Sequence, residues 1–119
     1  MSSIYATNLR VEYKKNPLGL DDPIPRFSWE VVGCRRKCFQ RAYQILVASS
    51  PELLAKDCGD LWDSGRVNSD ETFHIEYAGK PLTSRMKCWW KVRLWDTEDG
   101  ASPYSEPAWW TLGLLRHED

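Results

Sequence analysis

The sequence predicts an all-β domain, a seven-stranded antiparallel β-sandwich with one short helix inserted after the third strand. Three observations carry that expectation. Turn punctuation recurs at short intervals, at Asn16-Pro17-Leu18-Gly19, Asp22-Pro23, Gly33, Gly59-Asp60, Ser64-Gly65, Ala78-Gly79-Lys80-Pro81 and Asp99-Gly100. The segments between these turns alternate apolar and polar side chains with a period of two, as half-buried strands do. The length of 119 residues suits one domain, and such a chain buries roughly two-thirds of its unfolded surface without needing staples.

The elements follow in order. Ala6 to Tyr13 sets Leu9, Val11 and Tyr13 against Asn8, Arg10 and Glu12. Arg26 to Val31 sets Phe27, Trp29 and Val31 against Arg26, Ser28 and Glu30. Tyr43, Ile45 and Val47 repeat the pattern in a third strand, and Leu61 to Val67 and Phe73 to Tyr77 give two shorter ones. The stretch MKCWWKVRLWDTEDG, from Met86 to Gly100, supplies the sixth strand, and Tyr104 to Leu112 the seventh. Between the third and fourth strands the rhythm breaks. Ser49 and Ser50 are placed to cap a helix, Pro51 falls in its first turn where a missing N–H costs nothing, and Gly59 is the expected stop. Leu53 and Leu54 of this helix are expected to cover one end of the sandwich.

Charge and composition exclude several functions. Sixteen basic and seventeen acidic residues give a formal net charge of −1, so no long-range field draws in nucleic acid or an anionic membrane. The basic run Arg35, Arg36, Lys37 reads as a solvated loop tip. No apolar stretch near the N-terminus is long enough for a signal peptide or a membrane span. Cys34, Cys38, Cys58 and Cys88 contain no Cys-x-x-Cys pair, and His74 and His117 stand far apart, so zinc is not expected and no cofactor is implied. Four free thiols favour a reducing, cytoplasmic compartment, with export of a parent protein left open and a Cys34–Cys38 bridge as the alternative.

Two-layer packing of seven such strands is the immunoglobulin or fibronectin type III arrangement. Leu82 stands six residues before Cys88, which is followed at alternate positions by Trp90, Val92 and Leu94, then by Asp99-Gly100 and Ser105. This resembles the late half of a fibronectin type III domain, with Trp29 where such domains keep a core tryptophan. Cys88 takes the place usually held by a tyrosine whose hydroxyl ties the strand to the preceding corner. A thiol is too short and too weak a donor for that bond, so packing is expected to hold the corner.

A narrower resemblance covers nearly the whole chain. The segments NPLG (16–19), PRFSW (25–29), AYQILVASSPELL (42–54), GDLWDSG (59–65), YAGKPL (77–82), WKVRLWD (90–96) and SEPAW (105–109), in this order and with the helix after the third strand, resemble the N-terminal sandwich domain of bacterial α-L-rhamnosidases. The resemblance implies that residues 1–119 form one fibronectin type III-like domain, the N-terminal fragment of a larger multidomain enzyme. It also implies that the acidic catalytic residues lie in an α/α barrel outside this sequence, so none can be carried over, and that the partners are other domains of the same polypeptide.

The residues themselves agree with a noncatalytic reading. Glycoside hydrolysis needs two opposed carboxyl groups in different environments. Asp21-Asp22, Asp60, Asp63, Asp70-Glu71, Asp96 and Glu98-Asp99 instead fall in or beside turns, where Asp is favoured for local hydrogen bonding. No catalytic residue is assigned. His74 reads as a surface or edge residue, and Trp62 as a ring folded over the sandwich edge while Asp63 and Ser64 bind backbone amides. The remaining candidate is the second face of the sixth strand, which carries Trp89, Lys91, Arg93 and Trp95. With Trp109 or Trp110 from the last strand it could stack rhamnose-containing glycans, dock a neighbouring domain, or, with Tyr104 as well, interleave rings and cations into an internal ladder. The ladder, with docking, is the simpler account. The leading expectation is therefore a structural, interdomain scaffold module, and the alternative an accessory carbohydrate-binding module.

Overall fold

A computed structural model of the chain describes residues 4–12, 14–15, 19, 24–33, 40–82, 85–96 and 100–113. Seven strands and one helix occur among them: β1 (Ile4–Val11), β2 (Arg26–Gly33), β3 (Ala42–Ala48), α1 (Pro51–Ala55), β4 (Trp62–Asp63), β5 (Ile75–Glu76), β6 (Lys87–Trp95) and β7 (Ala108–Thr111). They form two antiparallel sheets, a three-stranded one ordered β1-β2-β5 and a four-stranded one ordered β4-β3-β6-β7. The expected sandwich is present. The basic run at 35–37, Cys34, Cys38, Tyr13, Asp21, Asp22, Glu98, Asp99 and His117 lie outside the described residues.

Parity decides which side chains meet between the sheets. On β6, Cys88, Trp90, Val92 and Leu94 are fully buried, and on β3 Tyr43, Ile45 and Val47 join them. Phe27 of β2 sits at the centre, with ring centroids 4.6 Å from Trp90, 5.4 Å from Trp110 and 5.9 Å from Trp62. Each ring of this kind hides about 150–250 Å² when buried. Trp29, the second-strand tryptophan, is also in the core, edge-on to Tyr43 at 5.3 Å. Its indole N–H donates to Gln40 Oε1 at 2.9 Å, while Gln40 Nε2 donates to the carbonyls of Ser69 and Glu71.

Strand β1 changes parity partway. Ile4 and Ala6 point inward, then Leu9 and Val11 do. Between the pairs Thr7↔Glu30 and Arg10↔Ser28, β1 advances three residues against two on β2. The extra residue is a β-bulge at Asn8, whose φ of 50° is left-handed, a region Asn tolerates better than most residues. Simple alternation could not foresee this switch.

Three other expectations need correction. The strands expected at Leu61 to Val67 and Phe73 to Tyr77 shrink to two residues each. The last strand begins at Ala108 rather than Tyr104, because Pro103 and Pro107 have no N–H to give a ladder. The helix is capped as expected, Ser50 Oγ accepting from Leu53 N at 3.2 Å, but Gly59 does not end it. Asp57, with φ of 58°, does so by donating its N–H to Leu54 O, while Cys58 N bonds Leu53 O in a Schellman arrangement.

The helix also covers a different surface from the one expected. Leu54 packs with Leu46 and Ala48 on the outer face of the four-stranded sheet, joined by Leu53, Trp89 and Tyr104. It therefore lies over a sheet face, not an end, and makes β3 apolar on both sides.

Candidate functional site

The outer face of the four-stranded sheet gathers the odd-numbered side chains of β6. Trp89 pairs in register with Trp109 of β7. Lys87 Nζ stands 4.5 Å from the Trp109 ring centroid and 5.2 Å from that of Trp89. Farther along, Lys91 Nζ lies 4.5 Å from the Tyr104 ring, and Arg93 Cζ is 4.9 Å from both Tyr104 and Trp95. Arg66, from the loop after β4, adds a cation 5.0 Å from Trp95. Ring and cation thus alternate along the face, each contact contributing about 0.5–1 kcal/mol where water has access.

Hydrogen bonds fix Arg93 and Lys91. Arg93 Nε donates to Gln44 Oε1 at 2.9 Å, and Gln44 Nε2 donates to Asp63 Oδ1 at 2.8 Å. Lys91 Nζ reaches Asp57 Oδ1 at 2.5 Å, its side chain only 10% exposed against 59% for the aspartate. The helix terminus therefore places the counter-ion of a nearly buried ammonium. Burial raises the pKa of the Tyr104 phenol.

Of the four tryptophans proposed for contact, Trp89, Trp95 and Trp109 stand on this outer face, half-buried. Trp110 does not. With Ala108 and Leu112 it faces inward and is fully buried, so its ring has no surface for a sugar or a neighbouring domain. Alternation along β7 allows only one member of the Trp109–Trp110 pair to face outward. Arg66 and Tyr104 complete the ladder; strand parity could not flag Arg66 because it belongs to a loop.

The turn aspartates serve local bonds. Asp60 accepts from Ser49 N and Oγ at 2.9 and 2.6 Å, and although burial alone would raise its pKa, these bonds bring it below the usual value. Asp63 also accepts from Gly65 N, Ser64 Oγ accepts from Ile45 N, and Asp96 Oδ1 accepts from Gly100 N. His74 is exposed, with φ of 59°. Among the described residues no group of three His, Cys, Asp or Glu side chains is placed to hold a metal, and no helix is long and apolar enough to cross a membrane.

The corner before β6 is tied by a residue the sequence did not single out. Cys88 is fully buried, which pushes its thiol up to about 12. The hydroxyl tie comes from Tyr77, whose OH lies 2.5 Å from Lys80 O and 3.2 Å from Leu61 O. Burial raises the phenol's pKa. Gly79 is required beneath it, since a Cβ there would lie 2.4 Å from Leu61 O and 2.7 Å from the Tyr77 hydroxyl oxygen.

A sandwich whose interior is filled with aromatic rings, and whose outer sheet face carries a ring and cation ladder, defines an immunoglobulin-like module. Residues 6–116 match the family model described as Rha78A-like, N-terminal immunoglobulin domain. The chain belongs to that family. It is 45% identical over 115 residues to an α-L-rhamnosidase of Streptomyces avermitilis, a match covering 97% of this chain and 11% of the relative. An α-L-rhamnosidase of Formosa agariphila is 48% identical over 105 residues, covering 88% of this chain and 11% of the relative. The solved α-L-rhamnosidase of Dictyoglumus thermophilum superposes with a TM-score of 0.93 at 39% identity, over 96% of this chain and 13% of that one. The chain thus spans about a tenth of the length of these enzymes.

Proposed function

We propose that this chain is the noncatalytic N-terminal module of an α-L-rhamnosidase, and that it acts as a rigid scaffold against which other domains of the same polypeptide pack. The observation that carries the reading is the family match over residues 6–116, combined with coverage of only 11% of the enzymes it resembles. The residues support it. Asp60, Asp63 and Asp96 are committed to local hydrogen bonds, and the outer rings are braced by cations rather than left as open plates. Rhamnoside cleavage, on this reading, belongs to residues elsewhere in the enzyme. The purified chain incubated with an aryl α-L-rhamnoside is expected to release no rhamnose above the uncatalysed rate; release that scales with protein concentration overturns the proposal.

The ladder face serves as the docking surface. Trp89, Trp95 and Trp109 are half-buried already, and covering their remaining area with another domain adds apolar burial without exposing any core. A sugar platform on the same rings would have to displace Lys87 from Trp109 and Arg93 or Arg66 from Trp95. Tryptophan fluorescence distinguishes the two: on the docking reading, rhamnose-containing oligosaccharides at millimolar concentration leave the emission unchanged.

A further inference from the structure

A second surface lies where the two sheets part. Strand β1 is an edge of the three-stranded sheet and β7 an edge of the four-stranded one. Between β1 and the 103–108 segment runs an open groove of about 400 Å³, within the size range of small-molecule clefts. Local chemistry keeps it open. On one side, the bulge at Asn8 bends β1. On the other, the segment entering β7 is held against β6 by its serines: Leu94 N donates to Ser102 Oγ and Val92 N to Ser105 Oγ, while Ser102 N and Ser105 N donate to the carbonyls of Leu94 and Val92. Pro103 and Pro107 remove two backbone donors from this wall, so it does not zip onto β1.

The walls carry polar groups that the fold does not use. Asn8 Nδ2 is committed to Glu30 Oε2 at 2.6 Å, but the side chains of Thr7, Lys15 and Glu106 have no hydrogen-bond or ion-pair partner among the described residues. Tyr5, also in the wall, is 49% exposed. One ammonium, one carboxylate, the uncommitted Thr7 hydroxyl and the exposed ring of Tyr5, beside the half-buried ring of Tyr104, make a site with no net charge. Its ligand must accept from Lys15, donate to Glu106 and lay an apolar face on the phenol ring. A sugar ring with vicinal hydroxyls meets all three demands; a phosphate or a carboxylate ligand would face Glu106, and a plain hydrocarbon would leave the charged pair unsolvated.

We infer that the groove between β1 and the 103–108 segment is a weak binding site for a neutral carbohydrate, seated on Tyr5 and hydrogen-bonded by Lys15 and Glu106. The site is distinct from the tryptophan ladder and does not depend on the scaffold reading; only the choice of L-rhamnose as a probe borrows from it. The test is a titration of the isotope-labelled chain with L-rhamnose and, separately, D-glucose to about 50 mM, followed by two-dimensional amide NMR. Saturable shifts are expected at Thr7, Asn8, Ser105 and Glu106 for at least one sugar, with a Kd of about 1–10 mM. Tyr5→Ala and Glu106→Gln, both at the surface and so expected to keep the remaining spectrum, should each weaken binding about tenfold; Trp109→Ala should leave it intact. Absence of saturable shifts with both sugars, shifts centred on Trp89 and Trp109, or unchanged affinity in both groove variants overturns the inference. Release of rhamnose from an aryl rhamnoside would count against the scaffold proposal alone, so the two failures are separable.

Discussion

Trp29 and Gln40 form a buried pair in which the indole N–H donates to the amide oxygen at 2.9 Å, and the amide nitrogen carries on to Ser69 O and Glu71 O. Three polar partners thus depend on one glutamine that is 5% exposed. Gln40→Leu is expected to cost about 2–3 kcal/mol, because the indole N–H and two carbonyls lose their partner at once. By contrast, Nε1 of Trp110 is buried without a hydrogen-bond partner among the described residues, so Trp110→Phe discards no bond and should cost about 1 kcal/mol less than Trp29→Phe. Urea unfolding of the three variants checks both.

The outer ladder and the inner core should respond differently to truncation. Trp90→Ala removes a fully buried indole in contact with Phe27 and is expected to cost about 3–5 kcal/mol. Trp109→Ala and Trp95→Ala remove half-buried rings held by cations, and about 1–2 kcal/mol is expected for each. Denaturant midpoints that fall equally for all three would contradict the division of β6 into core and surface faces.

Stability should fall in acid through Glu12. Its carboxylate accepts from Arg26 N at 2.6 Å and from the guanidinium at 3.2 Å, and the side-chain bonds to Arg26 hold its pKa below the ordinary 4.5 despite partial burial. A carboxylate whose folded pKa is depressed contributes stability that is complete above its unfolded pKa and is lost as pH falls through the folded one. Thermal melts between pH 6 and about 3 should therefore steepen below the ordinary Glu value, and Glu12→Gln should flatten that part of the curve while lowering the melting temperature at neutral pH.

The thiols should separate by access. Cys58 is exposed and Cys88 fully buried, with the Cys88 thiol pushed up to about 12. Alkylation at mildly alkaline pH, mapped by peptide mass, should label Cys58 rapidly and spare Cys88 until denaturant is added, since the thiolate is the reactive form. Labelling of Cys88 in the native protein at a rate similar to Cys58 would show that the inner face of β6 opens readily.

Much of the architecture was legible because the strands obey period-two alternation. The inward set of β6, the core position of Trp29, the capping of α1 by Ser50 and the amide-binding roles of Asp63 and Ser64 could all be read from residue type and spacing. The ladder was legible in part: parity placed Trp89, Lys91, Arg93 and Trp95 together. It could not choose between Trp109 and Trp110, because the register of β7 depends on where Pro107 lets the strand begin.

By itself the sequence determined the layer architecture and the side chains that the late tryptophan strand hides, because alternation is a local property of an extended backbone. Only the tertiary structure decided which cation lies on which ring, that the Tyr77 hydroxyl ties the corner that packing alone was expected to hold, that the helix lies over a sheet face, and that a groove opens beside β1. Folding decides these because most of them rest on contacts across the chain, such as Arg66 with Trp95, Lys87 with Trp109 and Tyr77 with Leu61, and one left-handed residue such as Asn8 suffices to invert every side chain beyond it.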